Sequence, residues 1–115
     1  MTEPKVLLIT MPKKDFDFLE SLNIQFFPDL SRGRFWKRLL LQGLYNLKGE
    51  LTIKPLNAEK NEIDIENAKG NSQHVIIERY DYLMLKNKGR LYSLKPVALG
   101  RILILEQAKK LPVEG

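Results

Sequence analysis

The sequence predicts a single α+β domain, residues 1–115, with an antiparallel sheet of four to five strands covered by two to three helices. One observation is a helix-period run at residues 31–47, and a second is the period-two alternation of apolar residues after residue 50. The composition, 43% hydrophobic and 29% charged, is that of a globular chain with one modest core. The predicted segments are strand–helix–helix (5–48), strand-rich (50–95) and a C-terminal helix (96–110).

The first predicted strand covers residues 5–11, KVLLITM. Its apolar run from Val6 to Ile9 has no polar interruption, which indicates burial on both faces and a central place in the sheet. Pro12 then suits the first turn of a helix, where its missing N–H costs nothing. We expect a short helix over about residues 13–22.

The connection over residues 23–30 is rich in aromatic side chains. Phe26 and Phe27 precede Pro28, which restricts Phe27 to extended conformations. Two interpretations are open, namely packing of both rings in the core and their use as exposed anchors for a partner.

Residues 31–47, SRGRFWKRLLLQGLYNL, form the strongest helical pattern. At about 100° per residue one face is apolar. Gly43 lies on that face, where a missing side chain lets another element approach closely, and Asp29 or Ser31 can cap the helix start. The apolar face comprises Phe35, Trp36, Leu39, Leu40, Leu44 and Leu47.

The opposite face of this helix is basic and includes Tyr45. It has three interpretations: an ordinary solvated face, a phosphate-contacting face, or a protein interface. The candidate nucleic-acid-binding residues are Arg32, Arg34, Lys37 and Arg38, with Lys13 and Lys14 nearby. The candidate partner-binding residues are Trp36, Tyr45, Phe26 and Phe27.

The C-terminal half predicts further strands. Residues 51–56 and 62–66 alternate, and residues 75–86 predict one long strand or two strands with a bend near Asp81. Residues 87–89, Asn-Lys-Gly, suit a hairpin loop, followed by a return strand through Leu91, Tyr92 and Leu94. Pro96 opens a last helix, although residues 101–105 fit either a helix or a buried strand.

Catalytic and metal-binding motifs are missing from the sequence. It has no cysteine and one histidine, His74, and it lacks a phosphate-binding Gly-rich loop and a nucleophile elbow. We therefore expect a non-enzymatic protein without a metal or cofactor. No apolar run is long enough to cross a membrane, and no signal peptide is evident, so a cytoplasmic location is expected.

The strand–Pro–helix–connection–helix order of residues 5–47, with LITMPKKDFDFLESL and then SRGRFWKRLLLQGL, resembles the ribbon-helix-helix family of DNA-binding regulators. The resemblance implies a dimer with paired strands that enter the DNA major groove. It places Val6, Leu8 and Thr10 at the groove-facing positions. The family usually has polar or basic residues there, and Val6 and Leu8 make no directional hydrogen bonds to base edges.

The basic helix face, the resemblance and the net charge of +5 predict a small nucleic-acid-binding protein with a regulatory role. The alternative is a protein-interaction module, such as an adaptor, assembly subunit or inhibitor, without a nucleic-acid role. A homodimer is also expected, because pairing the first strand with a copy of itself would bury its apolar residues. The competing interpretation is that the C-terminal strands cover Val6 to Ile9 within one chain.

Overall fold

The computed structural model describes residues 3–47 and 71–114. The strands predicted at residues 51–56 and 62–66 lie outside this part of the chain. The elements are β1 (Lys5–Thr10), α1 (Lys13–Phe26), α2 (Arg32–Asn46), β2 (Ser72–Ile77), α3 (Arg79–Leu91) and α4 (Pro96–Glu114).

The sheet of the described residues has two antiparallel strands, and four helices accompany it. The predicted sheet of four to five strands with two to three helices is therefore wrong, although the α+β character is correct. Strand β1 pairs with β2 from Lys5↔Ile77 to Thr10↔Ser72. The main reason for the difference is that residues 79–91 form a helix where strands were predicted.

Only one face of the sheet is buried. Leu7 and Ile9 point into the core together with Val75 and Ile77, while Val6 and Leu8 are exposed. Burial of β1 on both faces, and hence a central strand, was a wrong prediction. Buried and exposed residues alternate along this apolar run, because helices pack on only one side of the two-stranded sheet.

Helices α2 and α4 form the centre of the core. The apolar face predicted for α2 is confirmed: Phe35, Trp36, Leu39, Leu40 and Leu44 are buried, with Leu47 half-buried. Gly43 allows a close helix crossing, since a Cβ there would lie 3.1 Å from the Cβ of Leu103. The close approach expected at Gly43 is thus made by α4.

Helix α1 is longer than predicted and ends at Phe26. Leu19 and Leu22 form its buried face. The side-chain amide of Asn23 donates hydrogen bonds to the carbonyls of Phe27 (2.9 Å) and Leu30 (3.0 Å). These bonds satisfy backbone groups in the turn and so fix the path from α1 into α2.

Helix α3 replaces the hairpin predicted around residues 75–94. The strand ends at Ile77, and the supposed loop glycine, Gly89, lies near the end of the helix. A Cβ at Gly89 would lie 2.6 Å from the carbonyl oxygen of Leu94, so glycine is needed there for close packing. The N–H of Leu94 donates to the carbonyl of Gly89 at 2.9 Å and closes the turn.

The last helix begins at Pro96, as predicted, and residues 101–105 belong to it. Its run of buried residues at 102–104 reflects packing against several neighbours rather than a strand. Arg101 is half-buried on this helix, and its Nε donates to the carbonyl of Thr10 at 2.8 Å. Burial lowers the pKa of Arg101. This contact attaches the end of β1 to α4.

Candidate nucleic-acid interface

An open groove of about 570 Å³ lies between the start of α2 and strand β2. Its α2 side carries three cationic side chains, and its β2 side carries an amide, an imidazole and an apolar group. The lining residues are Ser31, Arg32, Gly33, Arg34, Lys37, Gln73, His74 and Ile76.

Local contacts at the start of α2 shape this groove. The Ser31 hydroxyl accepts a hydrogen bond from the Arg34 N–H at 3.4 Å, as its predicted capping role requires. A Cβ at Gly33 would lie 3.1 Å from both the carbonyl oxygen of His74 and Nε2 of Gln73. Glycine at this position therefore brings the first turn of α2 against the backbone of β2.

Among the described residues, the lining of the groove includes three cations and no carboxylate. Arg32 is partly engaged, because it pairs with Glu20 at 3.3 Å and lies 4.7 Å from the centre of the Phe16 ring. Arg34 is exposed and Lys37 is half-buried. Neither forms an ion pair with another described residue. These two cations thus differ from Arg32, which has a carboxylate partner within the described part of the chain.

The structure separates the six predicted nucleic-acid-binding residues into two groups. Arg32, Arg34 and Lys37 share the groove, while the guanidinium of Arg38 lies over the Phe27 ring at 4.7 Å. Lys13 pairs with Asp17 on the exposed side of α1 at 3.3 Å, and its neighbour Lys14 is exposed. These last three side chains do not line the groove.

The predicted partner-binding residues differ in exposure. Trp36 is 1% exposed and packs edge-on against Phe16 with 5.8 Å between ring centres, so it presents no surface to a partner in this conformation. Phe26 and Phe27 are half-buried against the core. Only Tyr45 is exposed.

Tyr45 is nevertheless engaged in a polar contact. Its hydroxyl donates a hydrogen bond to the buried carboxylate of Asp81 on α3. This hydrogen bond is the main cause that raises the pKa of Tyr45, with smaller contributions from desolvation and from the negative charge of Asp81. The pair therefore connects α2 to α3.

The exposed face of the sheet continues from the groove. Val6, Leu8 and Ile76 are 57%, 50% and 53% exposed, and the register places Ile76 opposite Val6 and His74 opposite Leu8. His74 and Ile76 also line the groove. We call the surface formed by Val6, Leu8, His74 and Ile76 the open sheet face.

Sequence reasoning missed the β2 side of the site. Gln73, His74 and Ile76 lie about 40 residues from Arg34 in the chain, and only the fold brings them together. The one local signal was Gly33 between two arginines, which marks a close approach without identifying its partner. Two of the positions singled out by the family resemblance, Val6 and Leu8, lie on the open sheet face.

The described residues hold no group of three His, Cys, Asp or Glu side chains placed to bind a metal ion. Within the same ranges no helix combines the length and apolar character needed to cross a membrane. Comparison of the chain with protein-family models, curated proteins and solved structures returns no significant match.

Proposed function

We propose that this protein is a non-enzymatic nucleic-acid-binding protein, with a regulatory role, that holds phosphates in the groove at the start of α2. The observation that supports this proposal most directly is the gathering of Arg32, Arg34 and Lys37 in one groove whose described lining contains no carboxylate. Arginine offers several donors in a planar fork, which matches phosphate oxygens, and lysine adds a point charge.

The experiment is a titration of labelled duplex and single-stranded DNA at several salt concentrations. Each neutralised phosphate releases counterions and contributes about −0.9 to the salt slope on duplex DNA and about −0.7 on single strands. We expect Arg34→Gln and Lys37→Gln each to weaken binding and to reduce the slope by about one such unit.

The matched control is Lys109→Gln, which removes one exposed positive charge from α4, outside the groove. It should leave the salt slope close to that of the wild type. No binding of either nucleic acid at low salt would refute the proposal, as would equal losses in the control and groove variants.

We also propose that two copies of the chain pair through the outer edge of β1. The Met11 N–H donates to the Asn71 carbonyl, so the backbone groups of Met11 face β2. The Thr10 carbonyl faces the other way and accepts from Nε of Arg101. Because this direction alternates along an antiparallel ladder, the backbone groups of Val6 and Leu8 also point away from β2. No strand of the described residues pairs with this edge, and edge groups of this kind are templates for another strand.

Light scattering coupled to gel filtration tests this pairing. A mass near 13.4 kDa at micromolar concentrations would exclude a dimer, whereas a mass near twice that value is expected. Val6→Pro should restore the monomer without unfolding it, because proline is tolerated where an edge N–H faces outward.

The second candidate function is a protein-interaction module. The observation that favours it is an exposed apolar stripe on α3 formed by Tyr80, Leu83 and Leu91, which share one side at helical spacing. Under this alternative, the double variant Tyr80→Gln/Leu83→Gln would abolish binding to a protein partner. The single variant Arg34→Gln would leave that binding unchanged. Salt-dependent DNA binding that requires Arg34 and Lys37 favours the first candidate.

A further inference from the structure

The groove and the open sheet face are one continuous surface, because His74 and Ile76 belong to both. We propose that this surface binds a single-stranded nucleic acid, with its phosphates in the groove and its unpaired bases packed on the open sheet face. The inference rests on the proposed function and specifies the form of nucleic acid that this site takes.

The chemistry of the open sheet face suits the flat sides of bases rather than their edges. The side chains of Val6, Leu8 and Ile76 carry no hydrogen-bonding groups, so they cannot form hydrogen bonds with the base edges in the grooves of a duplex. The faces of bases are apolar and become accessible once the strand is unpaired. His74 adds an aromatic ring on which a base can stack.

The dimensions agree with this arrangement. Val6 and Leu8 point to the same side of β1 about 6.8 Å apart along the strand, and their partners Ile76 and His74 lie about 5 Å across the ladder. The face is thus on the scale of a nucleobase. The cationic groove borders it along β2, so phosphates and bases of one strand would meet matching surfaces side by side.

A protein partner fits this surface less well. A stable protein interface usually covers about 800 Å² and about 20–30 residues on each partner. The groove and the open sheet face together comprise ten residues. The adjacent three cations complement a polyanion of regular charge spacing.

The test uses fluorescence anisotropy with labelled oligo-dT and oligo-rU of about 15 nucleotides and a duplex of equal length, all at low salt. We expect the wild type to bind single strands about tenfold more tightly than the duplex. Ile76→Thr and His74→Ala should each weaken single-strand binding roughly fivefold or more and change duplex binding little. Ile76→Thr keeps a β-branched residue and so preserves strand propensity.

Ile24→Gln is the matched control, since it removes an exposed aliphatic side chain from α1 outside both surfaces. Arg34→Gln should weaken single-strand and duplex binding alike. Thermal unfolding of each variant checks that the fold is kept, and Val6→Thr provides a second variant of the open sheet face if Ile76→Thr unfolds.

Duplex binding as tight as single-strand binding, or equal losses on both ligands with Ile76→Thr and His74→Ala, would overturn this inference and leave the proposed function standing. Binding to neither ligand would overturn the proposed function as well. Tight single-strand binding that is insensitive to every open-face variant would also overturn the inference, because it would confine the contact to the groove.

Discussion

Helices α2 and α3 have similar lengths, 15 and 13 residues, but they are held in place by different interactions. Six residues of α2 are buried, and five of them are large apolar side chains. Three residues of α3 are buried, and they are an aspartate, one leucine and a glycine. The comparison indicates that α2 owes its stability to apolar packing, whereas α3 combines less apolar packing, from Leu85 and the half-buried Tyr82 and Met84, with a few specific contacts.

Those contacts are spread along α3. Asp81 accepts the hydrogen bond from Tyr45 near the helix start, and Lys88 donates from Nζ to the carbonyl of Leu47 at 3.1 Å near its end. Gly89 allows the backbone at Leu94 to pack closely. Loss of any one contact should therefore affect α3 more than the rest of the molecule.

The largest expected loss of stability follows from a substitution in α2. Leu40→Ala removes a fully buried side chain that contacts α4 close to Gly100, and it should lower the free energy of unfolding by about 2–5 kcal/mol. Urea denaturation measures this change. Leu83→Ala is the control on α3, where the side chain is 46% exposed and a smaller loss of stability is expected. Equal losses in both variants would contradict the comparison.

The second largest loss of stability is expected from a substitution at the end of α3. In Gly89→Ala the new methyl group would collide with the carbonyl oxygen of Leu94, and crowding of this kind costs about 1–3 kcal/mol. Asn87→Ala, at an exposed position on the same helix, is the control. If Gly89→Ala is as stable as Asn87→Ala in thermal unfolding, the close approach is not required.

A smaller and pH-dependent effect is expected at the junction of α2 and α3. Because the pKa of Tyr45 in the folded protein is raised above 10.0, the unfolded chain releases this proton first as the pH increases. The stabilising contact is thus fully present below about pH 10 and is lost at higher pH.

Tyr45→Phe removes the hydroxyl and leaves the buried Asp81 carboxylate without this donor, so it should lower stability at neutral pH. The difference in melting temperature between Tyr45→Phe and wild type should then shrink above pH 10, and Tyr92→Phe serves as the control. A difference that stays constant with pH would show that the pKa of the Tyr45 hydroxyl is the same in the folded and unfolded states.

The smallest effect is expected on the exposed stripe of α3. Leu91 is 78% exposed, so Leu91→Gln should change the free energy of unfolding by less than about 0.5 kcal/mol. Chemical denaturation provides the measurement. A clear loss of stability would mean that this side chain is covered in solution, and the stripe would then have a partner.

The two helices also differ in how well the sequence predicts them. In α2 every large apolar residue except Leu41 falls on one face, and Ser31 provides a cap, so local signals and final packing agree. Even the role of Gly43 was visible, because a glycine amid leucines indicates close approach. These features follow from the periodicity of the sequence, so they can be predicted before the fold is known.

Helix α3 could not be recognised in the same way. Its segment contains two tyrosines and follows three β-branched residues, and both residue types favour strands. Leu83 and Leu91 are apolar yet exposed, which obscures the helical period. Gly89 looked like a hairpin glycine, although the structure uses it for packing against Leu94. The two sides of the candidate site also differ in how well the sequence predicts them. Its cations lie on α2, which the sequence predicts well, whereas its other side is formed by β2.

The pairing of β1 with β2 has a consequence for the folding pathway. The Thr10 and Ser72 side chains that meet at one end of the ladder are 62 residues apart in sequence, so closing the sheet costs considerable chain entropy. The pairing is favourable once the surface that receives it exists, and that surface is built by α2 and α4. We expect these helices to dock early and the sheet to form last, so that φ-values are high at Leu40 and low at Val75.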